Sequence, residues 1–359
     1  MSVHELDSAK AEAFAARMIS IINSGMLSLM VSVGHRTGLF DTMAGLAPST
    51  SAEIATAAGL EERYVREWLG AMTTGRIVEL DPETGMYRLP REHAGIVTRA
   101  AGLDNLASCA QNVAMLGLVE SDIVKCFREG GGVPYARFPD FQHVMAEGSG
   151  AVHDAVLIDG ILALVDGLVD RLRAGIAVAD VGCGSGHAIN VMAEAFPNSR
   201  FVGYDFSEAG IAAGMAEAAA KGLSNAAFEV RDAATLDGAP RFDLVTVFDA
   251  IHDQARPRRV LKGIADSLRG DGVFLCVDVR ASSNVHENLE HPLGPFLYTI
   301  SCMHCMTVSL AQNGEGLGAV WGEQQARELL AEAGFGKVEV KTVEGDIINN
   351  YYIARRFTT

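Results

Sequence analysis

The second half of the chain alternates short apolar runs with helical segments, and this alternation restricts the possible fold more than any other feature. The apolar runs lie at residues 176–182, 201–205, 226–233, 242–253 and 273–280. Strands that alternate with helices predict a mostly parallel sheet covered by helices on both faces. Ligands of such sheets bind at the carboxyl ends of the strands. The residues that end each run are therefore the first candidates for a functional site.

The first of these runs ends in a turn with three glycines at alternate positions. Gly182, Gly184 and Gly186 lie between the predicted strand and the helix that follows it. Glycine lets the backbone pass close to a ligand, and the free N–H groups of the first helical turn face outward. The dinucleotide fingerprint has a longer second gap, and a triphosphate-binding loop needs Lys followed by Ser or Thr. Both of these motifs are therefore excluded here.

Acidic residues follow the next two strands. Asp205 ends the second strand, about 20 residues after Gly184, where a carboxylate accepts hydrogen bonds from ribose hydroxyls in sites of this kind. Asp232 and Ala233 end the third strand, a suitable place for contact with an adenine ring. The sequence therefore predicts a nucleoside-type ligand across the first three strands.

Taken together, the glycine turn and the residues at the ends of the next strands resemble the class I S-adenosylmethionine-dependent methyltransferases over residues 170–359. The resemblance implies a Rossmann-like α/β fold with seven mostly parallel strands, helices on both faces, and S-adenosylmethionine as cofactor. It places the glycines near the methionine part, Asp205 at the ribose, and Phe206 beside the adenine. The cofactor-binding residues that it implies are Asp180-x-Gly182-x-Gly184-x-Gly186, Asp205, Phe206, Asp232, Ala233 and Phe248.

The first half of the chain has the outline of a winged helix. Helical segments at residues 51–58 and 61–75 are followed by a predicted hairpin with its turn at residues 81–85. The second helix begins with Glu61 and Glu62, which places carboxylates where DNA phosphates would lie. The segment resembles the N-terminal domain of many small-molecule methyltransferases, which implies a homodimer. A winged-helix transcriptional regulator that responds to S-adenosylmethionine is the alternative function.

These patterns predict three parts of the chain. Residues 1–110 form a mostly helical winged-helix dimerisation domain, and residues 111–170 form connecting helices with a loop rich in Gly and aromatic residues. Residues 171–359 form the cofactor-binding domain, with a substrate-pocket insertion at residues 281–322. The loop at residues 127–150 is either a surface linker or a segment that closes over a pocket.

Charge and hydropathy disfavour several protein classes. Lys and Arg number 29 against 45 Asp and Glu, and the net charge of −16 argues against general nucleic-acid binding. The most apolar run, residues 18–33, is interrupted at residues 23–25 and is shorter than the roughly 20 residues that span a membrane. It predicts a buried helix or a dimer contact. Charged residues near the start disfavour a signal peptide, so a cytoplasmic protein is expected.

Two arrangements could prepare a small-molecule acceptor for methyl transfer. His252 follows the fourth strand, where the resemblance implies a general base. Alternatively, Asp249, His252 and His304 match the spacing of metal ligands in related enzymes that methylate a carbon next to a keto group. Two His and one carboxylate can hold a divalent transition metal. Such a metal would chelate a 2-oxo acid and favour its enolate.

Overall fold

The computed structural model describes residues 6–236, 238–344 and 346–356. These belong to two compact units, Met1–Gly117 and Leu118–Thr359. The sequence-based division at residues 110 and 170 stays a prediction. Each unit is described by itself below.

The first unit consists of helices and one small hairpin. The helix–turn–helix followed by a hairpin confirms the predicted winged-helix outline. Its elements are α1 (Ser8–Thr37), α2 (Leu39–Ala44), α3 (Ser51–Ala58), α4 (Glu62–Thr74), the antiparallel strands β1 (Glu79–Asp81) and β2 (Met86–Arg88), α5 (Arg91–Val97), 3-10 segments at Arg99–Asp104 and Ser108–Ala110, and α6 (Gln111–Gly117).

Trp68 of α4 is the centre of the winged-helix core. It is buried, and its indole N–H donates to the carbonyl of Met30 at 2.8 Å. Gly34 lies directly against the indole, since a Cβ there would stand 2.6 Å from the ring. The ring of Phe40 packs edge-on against Trp68, with 5.2 Å between the centroids. The C-terminal end of α1 is thereby fixed to the core.

The N-terminal part of α1 exposes apolar side chains. Ile19, Ile22 and Met26 are 61%, 59% and 62% exposed. The helix continues through residues 23–25, where two polar residues and a glycine interrupt the apolar run. Asn, Ser and Gly each cost only up to about 1 kcal/mol in a helix, so three of them do not end it. Because these side chains are exposed, the prediction of a buried helix is wrong for residues 18–26. The alternative, a dimer contact, stays a prediction. By length and composition alone, α1 could also cross a membrane.

The second unit is built on a sheet of seven strands in the order β5-β4-β3-β6-β7-β9-β8. Strands β3 to β7 are parallel, and β9 is antiparallel to both of its neighbours. This confirms the predicted mostly parallel, seven-stranded sheet. The strands are β3 (Ala177–Val181), β4 (Arg200–Asp205), β5 (Ala226–Val230), β6 (Phe242–Phe248), β7 (Leu268–Val279), β8 (Phe335–Lys341) and β9 (Asn349–Arg356).

Helices cover both faces of this sheet. Because side chains alternate along a strand, Leu244 packs into the core on one face and Val245 into the core on the other. The helices are α7 (Glu120–Glu129), α8 (Phe141–Val156), α9 (Leu168–Ala174), α10 (His187–Ala195), α11 (Glu208–Ala220), α12 (Pro257–Ser267), α13 (Gly294–Ile300), α14 (Met306–Ala311) and α15 (Gly322–Ala333).

Shorter helical turns complete this unit. The π-type turns are Leu157–Ile161 and Ser301–Cys305, and the 3-10 turns are Tyr135–Arg137, Leu162–Leu164, Ala233–Thr235 and Val285–Asn288. The predicted loop at residues 127–150 is shorter than expected. Helix α7 continues to Glu129 and α8 begins at Phe141, so the irregular part is limited to about residues 130–140.

Candidate active site

The glycine turn joins β3 to α10 through three residues in the left-handed region. Gly182, Gly184 and Gly186 have φ angles of 76°, 54° and 71°. A Cβ at Gly182 would stand 2.5 Å from the Cβ of Ala250, and one at Gly186 would stand 2.2 Å from the ring of Phe228. Packing and backbone conformation together therefore require glycine at the first and third positions of the turn.

Asp205 fixes this turn to the end of β4. Its Oδ2 accepts from the N–H of Gly184 at 2.8 Å, and its Oδ1 accepts from the N–H of Ser207 at 2.8 Å. Burial raises the pKa of Asp205, and these backbone hydrogen bonds oppose that effect. Each carboxylate oxygen retains a second lone pair. Asp205 can therefore hold the turn and still accept hydrogen bonds from a ligand hydroxyl.

Asp180 is a buried carboxyl near the end of β3. It is 2% exposed and accepts a hydrogen bond from the Thr246 hydroxyl at 2.7 Å. Burial raises its pKa to about 7, and the negative charge of Asp205 acts in the same direction. A cationic group placed beside this carboxyl would favour its ionised form. The residue therefore suits the amino end of a ligand.

The residues predicted to face an adenine lie after β4 and β5. Phe206 is 49% exposed directly after β4. The carboxylate of Asp232 accepts from the N–H of Ala234 at 2.8 Å and starts the short turn that contains Ala233. Because β4 and β5 are parallel neighbours, these residues share one edge of the sheet. Phe248 lies at the same edge, at the end of β6, with its ring 4.8 Å from that of His153.

His252 lies four residues beyond the end of β6 and is 5% exposed. Its Nδ1 is 2.7 Å from Oδ1 of Asp278, which also accepts from the Trp321 indole N–H at 3.0 Å. Burial favours the neutral ring, but the carboxylates of Asp278 and Asp253 outweigh it and raise the pKa of His252 well above its ordinary value. The Asp278 contact at Nδ1 directs Nε2 of the ring away from Asp278.

Asp253 faces the other nitrogen of His252. Its Oδ1 lies 3.4 Å from Nε2 of His252, and its Oδ2 accepts from the Tyr135 hydroxyl at 2.9 Å. Sequence reasoning missed Asp253, Asp278, Trp321 and Tyr135. The position of Asp278 near the carboxyl end of β7 was the available signal for one of them.

His304 lies in the π-type turn Ser301–Cys305 and is 1% exposed. Its ring stacks on Phe141 with 3.9 Å between the centroids, and its Nδ1 is 3.7 Å from Oδ2 of Asp253. Burial lowers the pKa of His304 to about 4, so the ring is neutral at pH 7. Within the described ranges, neither ring nitrogen has a hydrogen-bond partner. Buried polar atoms without a partner are rare and mark a place for a ligand, ion or water.

Comparison with known proteins identifies both parts of the chain. Residues 25–99 match the family described as "Rv2258c-like winged HTH domain", and residues 172–342 match the family described as "Methyltransferase domain". The chain belongs to the class I S-adenosylmethionine-dependent methyltransferases with an N-terminal winged helix.

Individual relatives of this methyltransferase are distant. It is 35% identical over 116 residues to trans-aconitate 2-methyltransferase of Deinococcus radiodurans, a match that covers 32% of this chain and 41% of that protein. Human N-acetylserotonin methyltransferase, solved with S-adenosylmethionine, is 16% identical with a TM-score of 0.66, over 99% of each chain. Mitomycin 7-O-methyltransferase is 15% identical with a TM-score of 0.70, over 97% of this chain and 99% of that chain. Both structural likenesses show a shared fold.

In the described structure, the predicted triad of Asp249, His252 and His304 does not form one compact set of metal-donor side chains. In the part of the chain that the structure describes, the donor atoms that lie within 4.8 Å of one another belong to His252, Asp253 and Cys305. Asp249 follows β6 with a φ of 51°, and its side chain is accessible to solvent. Asp253, rather than Asp249, is thus the carboxylate next to Nε2 of His252.

The packing of the glycine turn leads to a paired test. Gly186→Ala and Gly184→Ala both place a side chain at a positive φ, but only the first meets the Phe228 ring, at 2.2 Å. At Gly184 the nearest atom is Oε1 of Gln142, at 3.7 Å. We expect Gly186→Ala to lower the free energy of unfolding by about 1–3 kcal/mol more than Gly184→Ala, as is typical of overpacking. Urea titration measures both, and equal losses would show that the ring moves aside.

Proposed function

We propose that this methyltransferase transfers the methyl group of S-adenosylmethionine to an O-, N- or C-nucleophile of a small molecule, with His252 as general base. The observation that carries the proposal is the buried Asp278–His252 pair, with 2.7 Å between Oδ1 and Nδ1. His252 follows β6, and Asp278 lies near the carboxyl end of β7. These are the next strands in the sheet after β3, the strand that precedes the glycine turn. A base and a candidate cofactor turn thus share one edge of the sheet.

The residues of the first three strands fit S-adenosylmethionine. The turn from Gly182 to Gly186 would hold the methionine part, and Asp180 its amino group. Asp205 retains lone pairs for the ribose hydroxyls, although it already holds Gly184 and Ser207. Phe206, Asp232 and Ala233 would receive the adenine. When bound, the cofactor supplies an electrophilic methyl group on its sulfonium.

His252 would remove the proton of the acceptor through Nε2. The carboxylate of Asp278 binds Nδ1 and stabilises the imidazolium that forms once the proton is taken. Because that carboxylate raises the pKa of His252, the base is mostly protonated below its raised pKa and becomes competent as the pH rises through it. The rate of methyl transfer should therefore increase on the alkaline side of the ordinary histidine pKa.

The relatives support a small acceptor. One is named for N-acetylserotonin, one for position 7 of mitomycin and one for trans-aconitate. The mitomycin enzyme is named as an O-methyltransferase, and the trans-aconitate enzyme is named for a carboxylic acid. The regulator alternative gains less support, because Glu61 is exposed at the start of α4, where it would face DNA phosphates.

Substitution of the base tests this proposal. His252→Ala should lower turnover by about 100-fold or more, the usual contribution of a general base, with the affinity for S-adenosylhomocysteine nearly unchanged. Asp278→Asn should move the rise in rate to lower pH, because it removes the charge that raises the pKa of His252. Transfer of labelled methyl to a panel of phenols, amines and 2-oxo acids, with calorimetry of the product complex, measures both effects.

A matched control for these variants is Asp170→Asn, since that carboxylate is 84% exposed. It should behave as the wild type does. A wild-type protein that binds neither S-adenosylmethionine nor S-adenosylhomocysteine would overturn the proposed function. If His252→Ala lost cofactor affinity and turnover to the same extent, His252 would be a structural residue rather than the base.

A metal-assisted reaction is the second candidate, and the unpartnered atoms around Asp253 favour it. Oδ1 of Asp253 and both ring nitrogens of His304 lack hydrogen-bond partners among the described residues. His252, Asp253 and Cys305 form a compact donor set, and Nδ1 of His304 lies 3.7 Å from Oδ2 of Asp253. These donors fit a divalent transition metal. Such an ion would polarise the oxygen atoms of a chelating acceptor. In this arrangement Asp253 would be the carboxylate ligand, the role for which the sequence predicted Asp249.

Elemental analysis of the purified protein distinguishes the two candidates. If a metal is resident, near-stoichiometric iron, zinc, nickel or copper should accompany the wild type and Asp249→Ala, and should fall in Asp253→Ala and His304→Ala. The Asp249 variant is the matched control because its carboxylate lies outside the compact donor set, whereas Nδ1 of His304 lies 3.7 Å from Oδ2 of Asp253 within it. A wild type that holds no metal after supplementation would remove this candidate and leave His252 as the base.

We further propose that α1 pairs with α1 of a second copy of this chain. Ile19, Ile22 and Met26 recur at helical spacing and are each about 60% exposed. Apolar side chains repeated on one helix seek an apolar partner. A dimer would cover them without a membrane.

Sedimentation of the purified protein tests this pairing. The wild type should sediment as a dimer, and Ile22→Glu should shift it to the monomer because a buried carboxylate opposes association. Lys10→Glu, near the start of the same helix, should leave the dimer intact. A wild-type monomer in solution, or a wild type that pellets with phosphatidylcholine vesicles, would contradict the pairing.

A further inference from the structure

We propose that Tyr135 is a positioning residue that couples occupation of the cofactor site to the placement of Asp253 beside His252. The inference rests on the proposed function, and it concerns the irregular segment between α7 and α8. Tyr135 contacts both halves of the candidate active site from this segment. It reaches them through two different parts of its side chain, the hydroxyl and the ring.

The hydroxyl of Tyr135 selects one oxygen of Asp253. It donates to Oδ2 at 2.9 Å, and the other oxygen, Oδ1, faces Nε2 of His252 at 3.4 Å. That Oδ1 has no hydrogen-bond partner among the described residues. A carboxylate held at one oxygen cannot rotate freely, so the hydroxyl sets how closely Asp253 approaches His252. Hydrogen bonds to a charged acceptor are strong enough to maintain such an orientation.

The ring of Tyr135 reaches the cofactor half. Its centroid lies 5.1 Å from that of Phe206, with 56° between the ring planes. Phe206 follows Asp205 directly, and it is the half-exposed aromatic residue at the predicted adenine position. An adenine that covers Phe206 would restrict the position of both rings. A continuous series of contacts therefore joins the adenine position to Asp253.

The segment that carries Tyr135 is anchored on both sides. On the N-terminal side, the N–H of Val133 donates to the Thr307 hydroxyl at 2.8 Å, and a Cβ on Gly132 would stand 2.1 Å from the Thr307 carbonyl oxygen. On the C-terminal side, the ring of Phe141 stacks on that of His304. Because both flanks are fixed, a displacement of the Tyr135 ring moves its hydroxyl rather than the whole segment.

A double-mutant cycle tests the coupling without the use of turnover. Calorimetry gives the affinity for S-adenosylhomocysteine in the wild type, Tyr135→Phe, Asp253→Ala and the double variant. Tyr135→Phe should weaken binding about threefold to tenfold, the range for loss of one hydrogen bond. Asp253→Ala should weaken it to a similar extent. The double variant should bind no more weakly than either single variant, because both substitutions remove the same contact.

Three further variants separate positioning from simple packing. Tyr135→Leu removes the ring as well and should bind more weakly than Tyr135→Phe. Asp253→Asn keeps a carbonyl acceptor for the hydroxyl and should restore most of the affinity lost in Asp253→Ala. Asp122→Asn is the matched control, because it weakens the exposed Arg137–Asp122 ion pair of the same segment. Exposed pairs contribute little, so its affinity should stay within about twofold of the wild type.

Kinetics with the first acceptor identified adds a second readout. Tyr135→Phe should lower kcat more than it raises the KM of the acceptor, since the hydroxyl acts on Asp253. Wild-type affinity in Tyr135→Phe, or additive losses in the double variant, would overturn the inference while leaving the proposed function intact. A wild type that does not bind S-adenosylhomocysteine would overturn the proposed function and the inference with it.

Discussion

The catalytic half of the molecule depends on the hydrogen bonds that the carboxylate of Asp278 accepts. Its Oδ1 accepts from the Trp321 indole and the N–H of Val279, and it binds Nδ1 of His252. These three partners come from the end of the insertion after β7, from β7 itself and from the loop after β6. An unpaired charge at this depth would be strongly destabilising, and the three donors at Oδ1 offset that cost. Among the described residues, Oδ2 of Asp278 has no hydrogen-bond partner. One buried charge thereby fixes the relative positions of three segments that are distant in sequence.

The charges around the site suit a cationic ligand. Asp180 and Asp205 lie on the cofactor side, and Asp253 and Asp278 lie on the catalytic side, with His252 between the latter two as a positive group. A sulfonium or an ammonium gains from nearby carboxylates, and the pKa of Asp180, about 7, shows how strongly burial opposes its ionisation without such a partner. The structure keeps these carboxylates in place through hydrogen bonds from backbone and side-chain donors, so the site is organised for positive charge in advance.

The sheet and the cofactor turn could be predicted because their signals are local. Gly184 and Asp205 stand at strand ends in a fixed order, and the two are joined by a hydrogen bond in the structure. The strand-end position of Asp278 could be read in this way, but its contact with His252 depends on the register of β6 against β7. Tyr135 could not be found, because its role depends on the path of an irregular segment. Asp249 was favoured because its spacing matches that of metal ligands in the enzymes that the segment resembles. Its left-handed backbone conformation redirects the chain, and spacing carries no information on that.

His304 is the residue on which the two candidate chemistries differ. A general-base mechanism uses Nε2 of His252 and the carboxylate of Asp278. It assigns no proton transfer to His304, because the pKa of His304, about 4, leaves that ring neutral at pH 7. A neutral imidazole with both nitrogens unpartnered has lost its hydration without compensation, which costs about 1–3 kcal/mol for each such group. A metal ion would recover that cost through one nitrogen and would also bind Asp253. In the base mechanism, the acceptor itself must supply the hydrogen bond to His304.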